Sequence, residues 1–78
     1  MPEIFRELGF RFYFYSDEHL PIHVHVRNAD GEIKLNIVHE KITIIRNYGM
    51  KLKDVKIAKE LAKTRREEII MEWIKFFG

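Results

Sequence analysis

The first half of the chain alternates apolar and polar side chains, and this period of two constrains the fold more strongly than any other feature. Between Phe10 and Tyr15, every second residue is a phenylalanine and the others are Arg or Tyr. Residues 22–27 and 32–37 alternate in the same way. Because successive side chains of a β-strand point to opposite faces, the three runs predict strands with one apolar face and one polar face.

The loop 28–31 joins the second and third runs and reads Asn-Ala-Asp-Gly, a sequence that favours a turn. With all of these residues outside the ladder, the hairpin pairs Arg27 with Glu32 and His25 with Lys34. A register two residues tighter would oppose Arg27 to Lys34, and the repulsion between like charges disfavours it. The loop and the charges therefore predict the same register.

Residues 51–77 contain no Gly or Pro and are rich in Lys, Glu, Ala, Leu and Ile, which is typical of a helix. The apolar residues recur in one stripe at helical spacing: Val55, Ala58, Ala62, Ile69, Trp73 and Phe76. At ~1.5 Å per residue an unbroken helix would be ~39 Å long, whereas a domain of this size has a diameter of roughly 30 Å. One long helix and a helix broken near Thr64 therefore both remain open.

Together these elements predict an α+β fold, in which an antiparallel sheet of four to five strands is packed on one face by a long C-terminal helix. The remaining strands are expected over residues 3–6 and 42–45, with a turn over residues 46–49. We expect the 78 residues to form a single domain, with the sheet within residues 1–46 and the helix within residues 51–77.

Composition excludes several classes of protein. The chain has no cysteine, so disulfides and thiolate zinc sites are excluded. No apolar run approaches the ~18 residues of a membrane span, and the N-terminus lacks the pattern of a signal peptide. We therefore expect a cytoplasmic protein with no membrane contact. The net charge of +2 permits nucleic-acid binding without arguing for it.

Three of the four histidines fall within seven residues, at His19, His23 and His25. His23 and His25 share the polar face of one predicted strand, and His19 lies in the preceding turn beside Glu18. We expect no cofactor other than a divalent transition metal, for which the three histidines are candidate ligands because imidazole and carboxylate groups bind such ions. The alternative is that the alternation simply places two histidines on a solvated face.

The polar sheet face combines these histidines with tyrosines and cations. Its candidates for binding a ligand or nucleic acid are Arg11, Tyr13, Tyr15, His23, His25, Arg27 and Lys34. The same face could cleave RNA without metal, with His23 and His25 transferring protons and Tyr13 and Lys34 as further catalytic candidates. We favour binding over catalysis, and a solvated face without a ligand is the plainest interpretation.

The C-terminal segment 69–77 carries a broader apolar surface than one sheet face needs, spanning ~160° of the helix. The excess predicts a homodimer or a small protein partner. The candidate interface residues are Ile70, Trp73, Ile74 and Phe77.

Residues 9–27, which include the stretch Glu-His-Leu-Pro-Ile-His-Val-His-Val, resemble a small prokaryotic family known only as domain of unknown function 4160. The start Met1-Pro2, the Asn-Tyr-Gly segment 47–49 and the ending 72–77 are also similar to that family, whereas Lys51 replaces an expected helix-capping residue. Its members are often encoded beside another small protein, in an arrangement that looks like a toxin–antitoxin pair. The resemblance thus implies a bacterial or archaeal cytoplasmic protein with a cognate protein partner, and no settled activity.

Three hypotheses follow from the residues and the resemblance together. The leading one is a non-enzymatic binding component of a toxin–antitoxin-like module, which acts through a protein partner and contacts nucleic acid. The second is a metal-independent ribonuclease toxin that uses His23 and His25. The third is a metal-binding module built from histidines.

Overall fold

The computed structural model describes residues 2–78, within which five antiparallel strands precede two helices. The strands are β1 (Glu3–Glu7), β2 (Phe10–Tyr13), β3 (His23–Arg27), β4 (Glu32–Val38) and β5 (Lys41–Tyr48), and the helices are α1 (Leu52–Thr64) and α2 (Arg66–Phe77). Each strand pairs with the next one in sequence, so the sheet is a meander in the order β1-β2-β3-β4-β5. The predicted α+β fold is confirmed.

The register of the central hairpin is the predicted one. Arg27 lies opposite Glu32, and His25 lies opposite Lys34. The loop between β3 and β4 also packs closely on the end of β5. A Cβ atom at Gly31 would collide with the carbonyl oxygen of Tyr48 and with backbone atoms that follow it, so only glycine fits there.

The turn predicted over residues 46–49 is wrong for its first three residues, because β5 continues to Tyr48. A bulge in the β4–β5 pairing lies where the partners change from Lys34 to Leu35. Beyond the bulge the ladder resumes, with Arg46 opposite Lys34. The extension pairs the backbone of β4 along its whole length, and satisfied backbone groups stabilise the strand.

The core lies between the apolar sheet face and the two helices. Strands β2, β3 and β4 contribute Phe10, Phe12, Val24, Val26, Ile33, Leu35 and Ile37, and the helices contribute Val55, Ala58, Ala62, Ile69 and Trp73. These helical residues are five of the six in the predicted stripe. The sixth, Phe76, is exposed in the last turn of α2, where Phe77 packs against Phe14 instead.

The C-terminal helix is broken at Arg65, whose backbone leaves the helical conformation at φ −107° and ψ 27°. The guanidinium group of Arg65 lies 3.6 Å above the ring of Phe5 and forms ion pairs with Glu7 and Glu68. The longest extent of the molecule is 33 Å, which an unbroken helix would exceed. The alternative of a break near Thr64 is thus confirmed, and Ile69 and Trp73 of α2 are buried in the core against the sheet.

Helix α1 begins after Lys51, which makes no side-chain capping hydrogen bond. Within residues 2–78, neither helix combines the length and the apolar character that crossing a bilayer requires.

Candidate metal centre

The polar face of the sheet divides into two halves. On β2 and β3, Tyr13 is fully buried and His23 and His25 are each only 5% exposed. On β4 and β5, Lys34 is half-buried and Arg46 is exposed. The expectation of a solvated face therefore holds for the half over β4 and β5, and it is wrong for the half that carries the histidines.

The loop 14–22 folds back over the histidines and places Glu18 between them. One carboxylate oxygen of Glu18, Oε2, accepts a hydrogen bond from the backbone N–H of Tyr15 at 3.1 Å and another from Nε2 of His25 at 2.9 Å. The Glu18 side chain is 8% exposed. Within the loop, a cis peptide bond joins Leu20 to Pro21. A local turn thus brings a carboxylate to two residues of a strand.

The tautomer of His23 is set by its backbone contact. Nδ1 of His23 lies 2.8 Å from the carbonyl oxygen of Pro21, and since a carbonyl only accepts, Nδ1 carries a proton. In the neutral ring Nε2 then presents a lone pair. The Nε2 atom lies 2.9 Å from Oε1 of Glu18, outside hydrogen-bonding alignment, and it is a buried polar atom without a hydrogen-bond partner among the described residues.

The charges within the cluster favour an ionised Glu18 carboxylate beside a neutral His25 ring. Burial lowers the pKa of His25, more than the neighbouring Glu18 carboxylate raises it. Burial alone would raise the pKa of Glu18, but the contacts with His23 and with the Tyr15 N–H hold it below its ordinary value. A carboxylate oxygen 2.9 Å from an unprotonated imidazole nitrogen is repelled by it, unless a proton or a metal cation lies close to both atoms.

A second layer of polar side chains surrounds His25 and centres on Glu32. The hydroxyl groups of Tyr13 and Tyr15 donate to the two carboxylate oxygens of Glu32 at 2.5 and 2.7 Å, and Arg27 donates at 2.9 Å. These hydrogen bonds outweigh burial and lower the pKa of Glu32, whereas burial and Glu32 raise the pKa of Tyr13. The Tyr15 ring lies 4.0 Å from the His25 ring between centroids. This layer restrains the orientation of His25.

Helix α2 closes the other side of the cluster. The Trp73 ring lies 5.2 Å from the His23 ring and 5.4 Å from the Phe14 ring, between centroids. Trp73 was a candidate interface residue, but it is buried in the core. Of the other candidates, Ile70 and Phe77 are half-buried, and Ile74 is 56% exposed. The remaining surface of α2 therefore keeps the interface prediction, without Trp73.

The structure does not bring His19 to the other two histidines. Its side chain is 86% exposed, and its nearest charged neighbour is Asp17 at 4.0 Å. Glu18 takes the place that the sequence assigned to His19. The signal for Glu18 was present in the sequence, as a carboxylate next to the Pro21 turn, but only the loop conformation decides which of two adjacent residues turns inward.

The donor atoms of Glu18, His23 and His25 lie within 4.8 Å of one another. Metal–ligand bonds of ~2.0–2.1 Å place neighbouring donors about 3 Å apart, and the two nitrogen–oxygen separations of 2.9 Å agree with that spacing. Two imidazole nitrogens and a carboxylate suit Zn²⁺ and similar divalent transition metals. The arrangement can thus hold a metal ion without a change of fold.

A model of the family described as domain of unknown function 4160 matches residues 9–74. The match includes both histidines of the cluster and most of α2, and it covers well over half of the chain. No curated protein and no solved structure matches the chain significantly. The chain therefore belongs to this family.

Proposed function

We propose that this member of the family of unknown function 4160 binds a divalent transition metal ion through Glu18, His23 and His25. The observation that carries the proposal is the buried Nε2 of His23, which faces a carboxylate oxygen with no aligned hydrogen bond. A cation between the two atoms turns a repulsive contact into two coordination bonds. The metal ion would thus supply the positive charge that is missing between Nε2 of His23 and Oε1 of Glu18.

The contacts behind the histidines support the same role. Ligating histidines usually donate their second N–H to a backbone carbonyl or a carboxylate, which fixes the tautomer and orients the ring. Nδ1 of His23 makes such a bond to the carbonyl oxygen of Pro21. For Nε2 of His25 to bind the metal, the proton that it donates to Glu18 must move to Nδ1. Nδ1 lies 3.7 Å from Oε2 of Glu32, so this tautomer and a small movement would complete the second contact.

The metal would have a structural and binding role rather than a catalytic one. By binding Glu18 of the loop 14–22 and two histidines of β3, the ion would hold the loop in the position over the sheet that it already occupies. Both histidines are nearly inaccessible to solvent, so a phosphodiester has no path to their nitrogen atoms in this conformation. The burial therefore favours a binding module over a ribonuclease that uses His23 and His25.

Metal titration of protein made without a histidine tag tests the proposal. After EDTA treatment and dialysis, calorimetric titration with Zn²⁺ should show one ion per chain, and elemental analysis should agree. His23→Ala and His25→Ala should abolish binding, whereas the control His19→Ala should leave it unchanged. If Zn²⁺, Mn²⁺, Fe²⁺, Co²⁺ and Ni²⁺ all fail to bind the native chain, or if His19→Ala is as damaging as the other variants, the proposal is wrong.

The toxin–antitoxin role and the protein partner remain predictions. They rest on the family resemblance and on the exposed apolar residues of α2, such as Ile74. Affinity purification of the tagged chain with its neighbouring gene product co-expressed would test them. A partner that is retained by the native chain and lost with Ile74→Glu would support the interface on α2, and no retained partner would contradict it.

A further inference from the structure

The open half of the sheet face carries cations that no carboxylate neutralises. Lys34 and Arg46 lie directly opposite each other on β4 and β5, and Lys41 lies further along β5 on the same face. Within residues 2–78, none of the three forms an ion pair, although Arg11 and Arg27 beside them do. The helices pack on the opposite face, so the positive charge of this half faces solvent.

An aromatic ring and hydrogen-bonding groups accompany these cations. Tyr48, opposite Glu32 at the end of β5, is 61% exposed, and its hydroxyl oxygen accepts a hydrogen bond from Arg46 at 3.2 Å. Asn36 and Thr43 form the next pair on the same face. Exposed aromatic rings provide stacking surfaces for unpaired bases, while neighbouring cations contact the phosphates.

We propose that the open face around Lys34, Arg46 and Tyr48 binds single-stranded nucleic acid. The unpaired cations favour a polyanionic ligand. The exposed ring of Tyr48 favours a polyanion whose bases can stack on it, which is a nucleic acid. A five-stranded sheet is too broad to enter the major groove of a duplex, which admits a helix or a two-stranded ribbon. Bases that are already unpaired can lie flat on the sheet, as they do on other RNA-binding sheets.

This surface is separate from the proposed metal centre, although the two adjoin. Lys34 lies opposite His25, and the histidine ring is buried while the lysine is partly open to solvent. The cations and Tyr48 need no metal to contact a strand. Binding should therefore persist in EDTA, and a failure of the metal proposal would leave this one standing.

The first test compares two variants of equal net charge. Lys34→Gln/Arg46→Gln removes two cations from the open face, and the control Lys53→Gln/Lys56→Gln removes two exposed cations from α1 on the other side of the molecule. Fluorescence anisotropy would follow the binding of labelled oligo(U) and oligo(dT) of about 12 nucleotides in EDTA, at several salt concentrations. The open-face variant should bind about 10- to 30-fold more weakly at 0.1 M salt, and its salt slope should fall by about 1.4.

The second test separates nucleic acid from other polyanions. Tyr48→Ala should weaken binding at least about fivefold without changing the salt slope, whereas Tyr48→Phe should retain the stacking ring and the affinity. Poly-glutamate of matched length should compete poorly. Circular dichroism would verify that all variants fold, which is expected because the substituted side chains are exposed or half-buried.

Three results would overturn the proposal. The first is no binding of either oligonucleotide by the native chain at low salt. The second is an equal loss of affinity in the control variant on α1, which would indicate a diffuse charge effect. The third is competition by poly-glutamate as strong as that by oligo(U), which would assign the surface to an acidic protein segment.

Discussion

Replacing Glu18 by glutamine tests the arrangement of protons in the buried cluster. The amide is nearly the same shape as the carboxylate. Its oxygen can take the position of Oε2, where it accepts from the Tyr15 N–H and from His25. Its NH₂ group then lies near the position of Oε1, 2.9 Å from Nε2 of His23, and a small rotation of the side chain lets it donate to the Nε2 lone pair.

The expected change in the metal-free protein is small. The new hydrogen bond to His23 contributes about 0.5–1.5 kcal/mol, and the bond from His25 weakens by a similar amount because its acceptor is no longer charged. The free energy of unfolding of Glu18→Gln should therefore lie within about 1 kcal/mol of the native value. For a domain of this length, that corresponds to a change in Tm of no more than about 8 °C.

If His23 were charged and formed a buried ion pair with Glu18, the substitution Glu18→Gln would destabilise the fold much more. Removing one partner of such a pair costs about 3–5 kcal/mol. At roughly 0.05–0.15 kcal/mol per residue, the whole domain is stable by only about 4–12 kcal/mol, so the variant would be largely destabilised or unfolded. The two protonation states of His23 thus predict results that a thermal melt distinguishes.

The assay is thermal unfolding followed by circular dichroism, in EDTA and in excess Zn²⁺. At a metal concentration about 100-fold above its Kd, the native chain should gain about 2.7 kcal/mol, and Glu18→Gln should gain much less because an amide is a poor ligand. A loss of more than about 2 kcal/mol in EDTA would refute the assignment of the lone pair. Equal stabilisation of both proteins by Zn²⁺ would refute the role of Glu18 as a ligand.

Three further predictions follow from other parts of the structure. The folded-state pKa of Glu32 lies below its ordinary value of 4.5, so its ionised form should stabilise the fold fully above pH 4.5. This contribution should fade as the pH falls through the lower folded-state pKa. In thermal melts in EDTA between pH 3 and 7, Glu32→Gln should therefore lose less stability than the native chain as the pH falls. Gly31→Ala should destabilise the domain by about 1–3 kcal/mol in urea unfolding, because the added methyl group meets the backbone at the end of β5, and a neutral result would mean that the loop can move away. Ile74→Glu should convert a native dimer to a monomer in light scattering, whereas Ile57→Glu on α1 should not; a native chain that is monomeric on its own would contradict self-association through α2.

Much of the fold follows from local patterns in the chain. The alternation in residues 22–27 and 32–37 assigns each side chain to one face of the sheet, because the period of a strand is two. The loop length and the charges of Arg27 and Glu32 select the register that is observed. The composition of residues 51–77 identifies a helical segment, but the comparison of its length with the size of the domain left a continuous helix and a break near Thr64 both open.

The candidate site depended on tertiary structure in a way that alternation does not encode. Period two places His23 and His25 on the polar face, but it does not say whether another segment covers that face. The loop 14–22 covers it in this protein and inserts Glu18, while the adjacent His19 points to solvent. Loop conformation depends on a few backbone dihedral angles and on the packing of Phe14, at the start of the loop, against Trp73, which lies far away in sequence.

The sequence by itself therefore determined the strands, their apolar and polar faces, the central register and the helical segment, since each depends on residues that are near in sequence. Only the tertiary structure decided that β5 continues to Tyr48, that the helix turns at Arg65, and that the two histidines are buried around a carboxylate. The physical reason is the same in each case. Burial and pairing are properties of segments in contact, and the contact partner of a segment is fixed by the whole fold rather than by its own residues.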